Sequence, residues 1–398
     1  MKKLIKLFFS LLKHPLLTIS TISNINKLKS LSVKDSLKNA SDWLLLAQSK
    51  GKDLGYSRKY SLISGWDSSY IETSGYIVPS MYLAGVYLNN SDYIDSAKDA
   101  AEWLLTVQHD DGFFTDIDEY KPQVFDTGQV LIGLNFIYKK TEENKFKESI
   151  VKACDWLISV QEENGSWIKY SYNYRPHTYY TRVASALLNS GYILNNEKYI
   201  EAAIKNLNWA ISQKQENNFF NFSEFKETED PILHTLVYVL EGFSEAYRIS
   251  KDNRWLEILE SGGQQLLSLV NNDGLLHSQY NSEWEVTNSE YCVTGLAQLA
   301  GIFYDLSNYL NSKKFFEAGE KIMSQLLNIQ LNNHKVLSGA FPSSLPLWGY
   351  YGGMDFYNWN SKFYIDATLK KIILSEGCPS EIIEYYFNTQ NSNKKFLK

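Results

Sequence analysis

The chain has 398 residues and a formal net charge of −6, from 39 Lys and Arg against 45 Asp and Glu. That acidic balance leaves no basic face for a phosphate backbone and excludes nucleic acid as a partner. Three scattered cysteines, Cys154, Cys292 and Cys378, exclude a disulfide framework and offer no Cys or Cys/His cluster for zinc, so neither metal nor cofactor is expected.

Residues 1–33 read as a basic amphipathic extension. The segment from Met1 to Leu17, MKKLIKLFFSLLKHPLL, is broken by Lys13, His14 and Pro15 and is too short an apolar run to span a bilayer. Lys2, Lys3, Lys6 and Lys13 beside Leu4, Leu7, Phe8, Leu11 and Leu12 suit a helix lying on anionic lipid. The expectation is a cytoplasmic protein with peripheral contact on the inner membrane face through residues 1–17. Packing of the same helix on the outside of the folded domain is the competing reading.

From residue 34 a repeat takes over, and a repeat dictates the fold before any single motif does. Asp42-Trp43 leads to Gln48, Glu102-Trp103 to Gln108, Asp155-Trp156 to Gln161 and Asn208-Trp209 to Gln213, with weaker copies at 264–267 and 321–330. Each ends a segment with apolar residues at i, i+3, i+4 and i+7, the period of an amphipathic helix. Gly112, Gly165 and Gly274 follow as stop signals. A second series lies between: 72–88, 126–139, 179–194, 234–248, 292–307 and 359–373. Its members are apolar on nearly every face and rich in Gly, Ala and Ser, which predicts burial. The one-sided helices are therefore outer and the small-residue helices inner. The expected fold is all-α, an (α/α)6 toroid of six helical hairpins with alternating outer and inner helices over residues 34–375, followed by a tail at 376–398.

This pattern resembles the six-hairpin toroid superfamily, which holds glycoside hydrolases, polysaccharide lyases, sugar epimerases, squalene-type terpenoid cyclases and protein prenyltransferase β subunits. ETSGY at Glu72, FDTGQ at Phe125, HTYYTRV at His177 and the late LPLWGYY and NWNSKF segments are similar to uncharacterised toroid proteins associated with bacterial surface-polysaccharide genes. The resemblance implies a role in surface-glycan biosynthesis. It also implies a mouth at which the N-terminal ends of the inner helices converge, without fixing the reaction.

Every inner helix opens on something ionisable or aromatic. Glu72 follows Trp66, Asp67 and Tyr70; Asp126 opens the second helix; His177, Tyr179, Tyr180 and Arg182 open the third. His234 opens the fourth, Glu290, Cys292 and Thr294 the fifth, and Trp348, Tyr350, Tyr351, Trp359 and Lys362 surround the sixth. Glu72 and Asp126 are either first-turn caps, at about 0.5–2 kcal/mol each, or the carboxylate pair of a glycosidase, roughly 5–9.5 Å apart. His177, Tyr180 and Arg182 are either the acid, base and carboxylate clamp for removing a uronate α-proton, or a network tying helices together. His234 is a further catalytic candidate, and Glu241, two turns deeper, reads as a structural partner. Trp66, Tyr76, Tyr179, Gln298, Trp348, Tyr350, Trp359 and Lys362 are expected to hold sugar; for the Trp residues core packing competes.

Other toroid chemistries find poorer motifs. Asp116-Ile117-Asp118-Glu119 is an imperfect copy of a cyclase acid motif, and QEENGSW at Gln161 resembles the Gln/Trp repeats of such enzymes. Glu290-Tyr291-Cys292 offers part of a prenyltransferase zinc site, but inner helix six opens without the His that would complete it. An enzyme acting on an oligo- or polysaccharide is expected, with hydrolysis favoured over uronate elimination or C5 epimerisation. A terpenoid cyclase and a non-catalytic glycan-binding protein are the alternatives.

Overall fold

A computed structural model describes residues 2–27, 31–115 and 121–388. The chain opens with two short helices, α1 (Lys2–Lys13) and α2 (Pro15–Ile25). Outer and inner helices then alternate: α3 (Val33–Gln48), α4 (Ile71–Leu88), α5 (Ser91–Val107), α6 (Val124–Thr141), α7 (Asn144–Ser159) and α8 (Thr181–Leu194). The series continues as α9 (Glu197–Ser212), α10 (Leu233–Ser250), α11 (Asn253–Ser268), α12 (Val293–Leu310), α13 (Lys313–Ile329) and α14 (Asn358–Ser375). The inner helices α4, α6, α8, α10, α12 and α14 each touch the next, and α14 returns to α4. This is an (α/α)6 toroid.

The outer helices bury one stripe. In α3, Leu37, Ala40, Trp43, Leu44 and Ala47 are buried, while Lys34 and Lys38 face water. The inner helices are buried almost all round, as α6 is from Val124 to Leu131. Their small residues let backbones meet. A β-carbon at Gly75 would stand 2.5 Å from the Val130 Cα, and one at Gly133 would stand 2.2 Å from the Gly75 carbonyl oxygen.

The two ends of the ring differ. At one end each inner helix turns into its outer partner through two residues, the first in the left-handed region: Asn89, Glu142, Asn195, Lys251 and Asn311. This is a helix C-terminus closed by an αL residue. In three of these turns the second residue, Asn90, Asn196 or Asp252, caps the helix that follows with its side chain. The pairing is thus inner-to-following-outer, and α14, which has no such successor, packs on α3.

At the other end the connections are long: 49–70, 108–123, 160–180, 213–232, 269–292 and 330–357. The repeated Gln ties these loops down. Gln161 Nε2 donates to the Gly165 carbonyl (3.0 Å) and to the Ala202 carbonyl on the next outer helix (2.9 Å). Gln48, Gln108 and Gln330 make the same two-way tie, and Gln213 does not. Gly165 has φ +92°, and a β-carbon there would stand 2.5 Å from the Lys205 carbonyl oxygen; glycine is required by both conformation and space.

The long loops also carry small strands that the all-helical expectation did not contain. β1 (Lys59–Ser61), β2 (Gly65–Trp66), β3 (Gln279–Tyr280), β4 (Val286–Asn288), β5 (Tyr291–Cys292), β6 (Ser344–Leu345) and β7 (Asp355–Tyr357) are two or three residues long, too short to show alternation. One sheet has the antiparallel order β2-β1-β7, with Tyr60 opposite Phe356, and so joins the first and last loops. The C-terminal stretch expected as a tail holds a helix, α15 (Ser380–Phe387). It packs on α14 and α4 and is fastened by Tyr386 Oη donating to Asp366 (2.8 Å) and by a Lys140–Glu381 ion pair (2.6 Å). Residues 389–398 lie outside the described residues.

Candidate functional site

A cavity of about 750 Å³ opens among the long loops, where the inner-helix N-termini converge. Glu72 and Tyr76 enter it from α4, Asp126 from α6, His234 and Tyr238 from α10, and Trp359 from α14. Tyr179 enters from a single 3-10 turn, Thr178–Tyr180, ahead of α8. Six of the expected residues therefore meet: Glu72, Asp126, His234, Tyr76, Tyr179 and Trp359.

The two carboxylates sit in the first turns of neighbouring helices but are not their N-caps. The cap positions belong to Tyr70 and Gln123, and neither makes a side-chain cap bond. Thr127, rather than Asp126, holds the preceding loop, accepting from the Phe114 N–H (3.0 Å) and donating to the Gln123 carbonyl (2.8 Å). Burial pushes the Glu72 carboxyl up to about 7, against the lowering effects of a hydrogen bond from Tyr70 and the charge of Arg182. Tyr70 lies within the field of both acids, which together with burial hold its hydroxyl well above the usual phenol range. Glu72 and Asp126 therefore share one electrostatic neighbourhood.

His234 is fixed by a relay beneath it. Arg182 pairs with Glu241, and its Nε donates to Gln129 Oε1 (2.9 Å). Gln298 Nε2 donates to the same Glu241 carboxylate (3.3 Å). A carboxylate only accepts, so Gln298 must turn its carbonyl oxygen to His234 Nδ1, 2.6 Å away. Nδ1 then carries the ring proton and Nε2 keeps its lone pair for the cavity. Burial, with Arg182 nearby, lowers the imidazole to about 3. It is neutral at physiological pH, an acceptor for a hydroxyl and a weak base.

The remaining expected residues lie elsewhere. His177 is 1% exposed; its Nε2 bonds the Tyr172 carbonyl (2.8 Å), its ring stacks on Tyr179, and burial lowers it to about 4. The Tyr180 hydroxyl accepts from the Tyr172 N–H (3.0 Å), and burial raises its pKa. Both staple the 170s loop behind the cavity wall. Arg182 and Lys362 lie under a partition of Tyr76, Tyr238 and Phe363 rings, with the guanidinium 4.7 Å from the Tyr238 centroid and Lys362 Nζ 4.2 Å from that of Phe363. Lys362 is paired there with Asp366 (2.7 Å). Gln298 acts on His234 rather than lining the cavity. Trp66 packs on Trp43 and Tyr60, Trp348 packs against the core, and Tyr350 is an exposed rim residue whose N–H donates to Glu290 (2.6 Å). The acid run from Asp116 to Glu119 lies outside the described residues.

Several lining residues have no helical period to announce them. Arg58 and Lys59 enter from the first loop, paired with Asp67 (2.7 Å) and Asp355 (2.9 Å). Tyr172, Tyr174, Phe225, Tyr351 and Tyr357 also line the wall, with Tyr357 stacked on Trp359 at 4.0 Å. The alternation of Tyr170, Tyr172 and Tyr174 is the one local signal that aromatic side chains line this loop. Below the partition a second cavity of about 290 Å³ is lined by Arg182, Lys362, Lys370, Asp305, Asp366 and residues of α15. No group of three or more His, Cys, Asp or Glu able to hold a metal occurs among the described residues.

Comparison with known proteins adds a partial sequence match and a fold. Residues 113–190 match a model of the squalene-hopene cyclase C-terminal domain. That stretch contains the Gln161–Gly165 tie and Trp167, whose Nε1 donates to the Leu157 carbonyl (2.9 Å), so it includes framework of the ring. No curated protein matches the sequence. Among solved structures, the unsaturated glucuronyl hydrolase of Bacillus sp. GL1, described as responsible for glycosaminoglycan degradation, is similar with a TM-score of 0.68 at 12% identity, over 90% of this chain and 100% of that one. Cellobiose 2-epimerase from Bacillus thermoamylovorans B4167 is similar at 0.67 and 12%, over 84% and 98%. A Streptococcus agalactiae unsaturated glucuronyl hydrolase mutant, complexed with dGlcA-GalNAc6S, is similar at 0.63 and 14%, over 87% and 93%. At these identities the likeness is one of fold.

Proposed function

We propose that this toroid is a glycoside hydrolase acting on an oligo- or polysaccharide, with Glu72 as the general acid and Asp126 as its carboxylate partner. Glu72 carries the reading: it is a cavity-lining carboxyl on one inner helix whose pKa of about 7 keeps much of it protonated at neutral pH, while the first turn of the next helix supplies a second acid. Glycoside hydrolysis needs two carboxyl groups whose environments separate their roles. Tyr179, Tyr357 and Trp359 offer faces for sugar rings, and His234 Nε2 offers an acceptor for a hydroxyl. The fold's neighbours among glucuronyl hydrolases and sugar epimerases support the substrate class.

The relay beneath His234 favours a second reading, sugar epimerisation, in which the imidazole takes a proton from carbon. A base with a pKa of about 3 is badly matched to that task at neutral pH, so hydrolysis ranks above it. Uronate elimination by Tyr180, His177 and Arg182 finds no support in the geometry, since none of the three lines the cavity. We also place the protein on the inner face of the membrane, touching it through its N-terminal helix; no helix among the described residues is long and apolar enough to cross one.

The test is a panel of neutral and uronate-containing glycans followed for reducing ends, unsaturated product and exchange of carbon-bound hydrogen with solvent. New reducing ends, lost in both Glu72→Gln and Asp126→Asn, support hydrolysis. Solvent exchange that survives Asp126→Asn but not His234→Gln transfers the assignment to epimerisation.

A further inference from the structure

Seven of the fourteen exposed large apolar side chains among the described residues lie between residues 4 and 19, so the exposure is concentrated rather than scattered. Leu4, Ile5, Phe8, Phe9 and Leu12 form one stripe along α1 by helical spacing, and Leu16 and Ile19 are exposed on α2; Phe8 is 59% exposed and Leu16 83%. Lys6 and Lys13, seven residues apart and both exposed, run along the edge of that stripe. The opposite side of the helix pair is docked. Ser10 Oγ lies 2.6 Å from Thr18 Oγ1 and donates to the Leu62 carbonyl (3.4 Å), Thr21 Oγ1 meets His334 Nε2 (3.2 Å), and Asn24 Nδ2 donates to the Asn332 carbonyl (2.6 Å). The apolar stripe is therefore held outward by polar anchoring on the inward side. An apolar stripe edged by lysines is the chemistry of an anionic lipid surface.

Where the helix pair docks decides what that surface is for. Leu62 follows β1, three residues beyond the cavity-lining Lys59, which is about 10 Å of extended strand. His334 and Asn332 belong to the 330–357 loop, which supplies Tyr351 and Tyr357 to the cavity. Both anchor points are thus loops of the mouth. We infer that α1 and α2 seat the protein on an anionic membrane with the cavity opening beside the lipid surface, and that its substrate is a glycan presented there on a lipid anchor. The substrate class rests on the reading of the cavity as a glycosidase site; the seating does not.

The 398-residue chain is sedimented with vesicles of phosphatidylcholine alone and with added phosphatidylglycerol. Partition onto the anionic vesicles is expected. It should weaken roughly tenfold or more in Phe8→Ser/Leu12→Ser and in Lys6→Glu/Lys13→Glu. All four positions are at the surface, so the fold tolerates the changes. Partition that is absent, or equal in wild type and variants, overturns the seating. So does a concentration-dependent dimer dissolved by Phe8→Ser/Leu12→Ser, which would make a second copy the occupant. Orientation is read with a fluorophore at Ser64→Cys, in the exposed turn between β1 and β2, or at Tyr192→Cys, toward the opposite end of the ring, each in a Cys378→Ser background. Nitroxide headgroup lipid should quench the first and spare the second; the reverse overturns the placement of the mouth. Finally, neutral and uronate-containing oligosaccharides are offered free and coupled to phosphatidylethanolamine in the anionic vesicles. Faster hydrolysis of the coupled form, a gain lost in Phe8→Ser/Leu12→Ser, supports the substrate class. Equal hydrolysis of both forms overturns it and leaves the glycosidase standing. No hydrolysis of either, with docking and quenching intact, overturns the glycosidase and with it the substrate class, and supports the seating alone.

Discussion

Glu72 is where the burial of one side chain has opposite effects on stability and on chemistry. Its carboxyl ionises near 4.5 in the unfolded chain and near 7 in the folded one. Between those values the folded state holds the extra proton, so stability falls as pH rises through the window and levels off above it. A shift of that size amounts to about 3 kcal/mol. Glu72→Gln should therefore gain stability relative to wild type by about that amount between pH 4 and pH 8, read as the change in the denaturation-midpoint difference. The same variant should lose roughly 10²–10⁴ in kcat. In the wild type the acid is lost as pH rises, giving activity an alkaline limb near 7. Tyr70→Phe removes a bond that favours the charged form and should move that limb upward; a limb that stays in place would mean another group sets it. That Glu72 and Asp126 line the cavity was legible in the sequence because both sit in the first turn of an inner helix, at the end where the long loops meet. Arg182 reads as one more mouth residue, but it follows a 3-10 turn, Thr178–Tyr180, and its guanidinium lies against the Tyr76, Tyr238 and Phe363 rings, outside the cavity lining.

At the scale of elements, length and geometry separate the two ends of the ring. The two-residue turns place non-glycine residues in the left-handed region, and Glu142, exposed at φ +56°, is poorly suited to it. Glu142→Gly should raise stability by roughly 0.5–1 kcal/mol, net of the added freedom of the unfolded chain, as a higher urea midpoint with unchanged slope. Gly165→Ala should lower stability by roughly 2 kcal/mol or more, because both the backbone and the Lys205 carbonyl oppose a β-carbon. Gln161→Leu should cost about 1–3 kcal/mol by removing two side-chain hydrogen bonds, while Gly165 keeps its bond from Asn206 Nδ2 (2.9 Å) and Ala202 its place in α9. The helices could be read from periodicity because each must hide an apolar stripe through three or more turns. The mouth loops could not: their positions are set by side-chain ties such as Gln161 to Ala202, made between residues far apart in the chain.

The whole molecule followed from the repeat because six near-copies of one hairpin can bury their inner faces only by closing on one another. Its pairing scheme did not follow, since alternation alone leaves open whether an inner helix pairs with the outer helix before or after it. The short left-handed turns decide for the one after, and so leave α3 and α14 to each other at opposite ends of the sequence. That closure has a consequence in time. During synthesis α3 is the first helix of the ring to emerge, and the part of its apolar stripe that packs on α14 waits for a partner some 310 residues away. At about 5–20 residues per second the wait is roughly 15–60 s. Through that interval the nascent protein is an open spiral with a sticky leading edge, vulnerable to any chaperone or neighbouring ribosome product that meets it. A circularly permuted chain that begins at α4 and ends with α14 followed by α3 would bring the sealing pair off the ribosome together, and should give a larger folded yield in a translation reaction without chaperones.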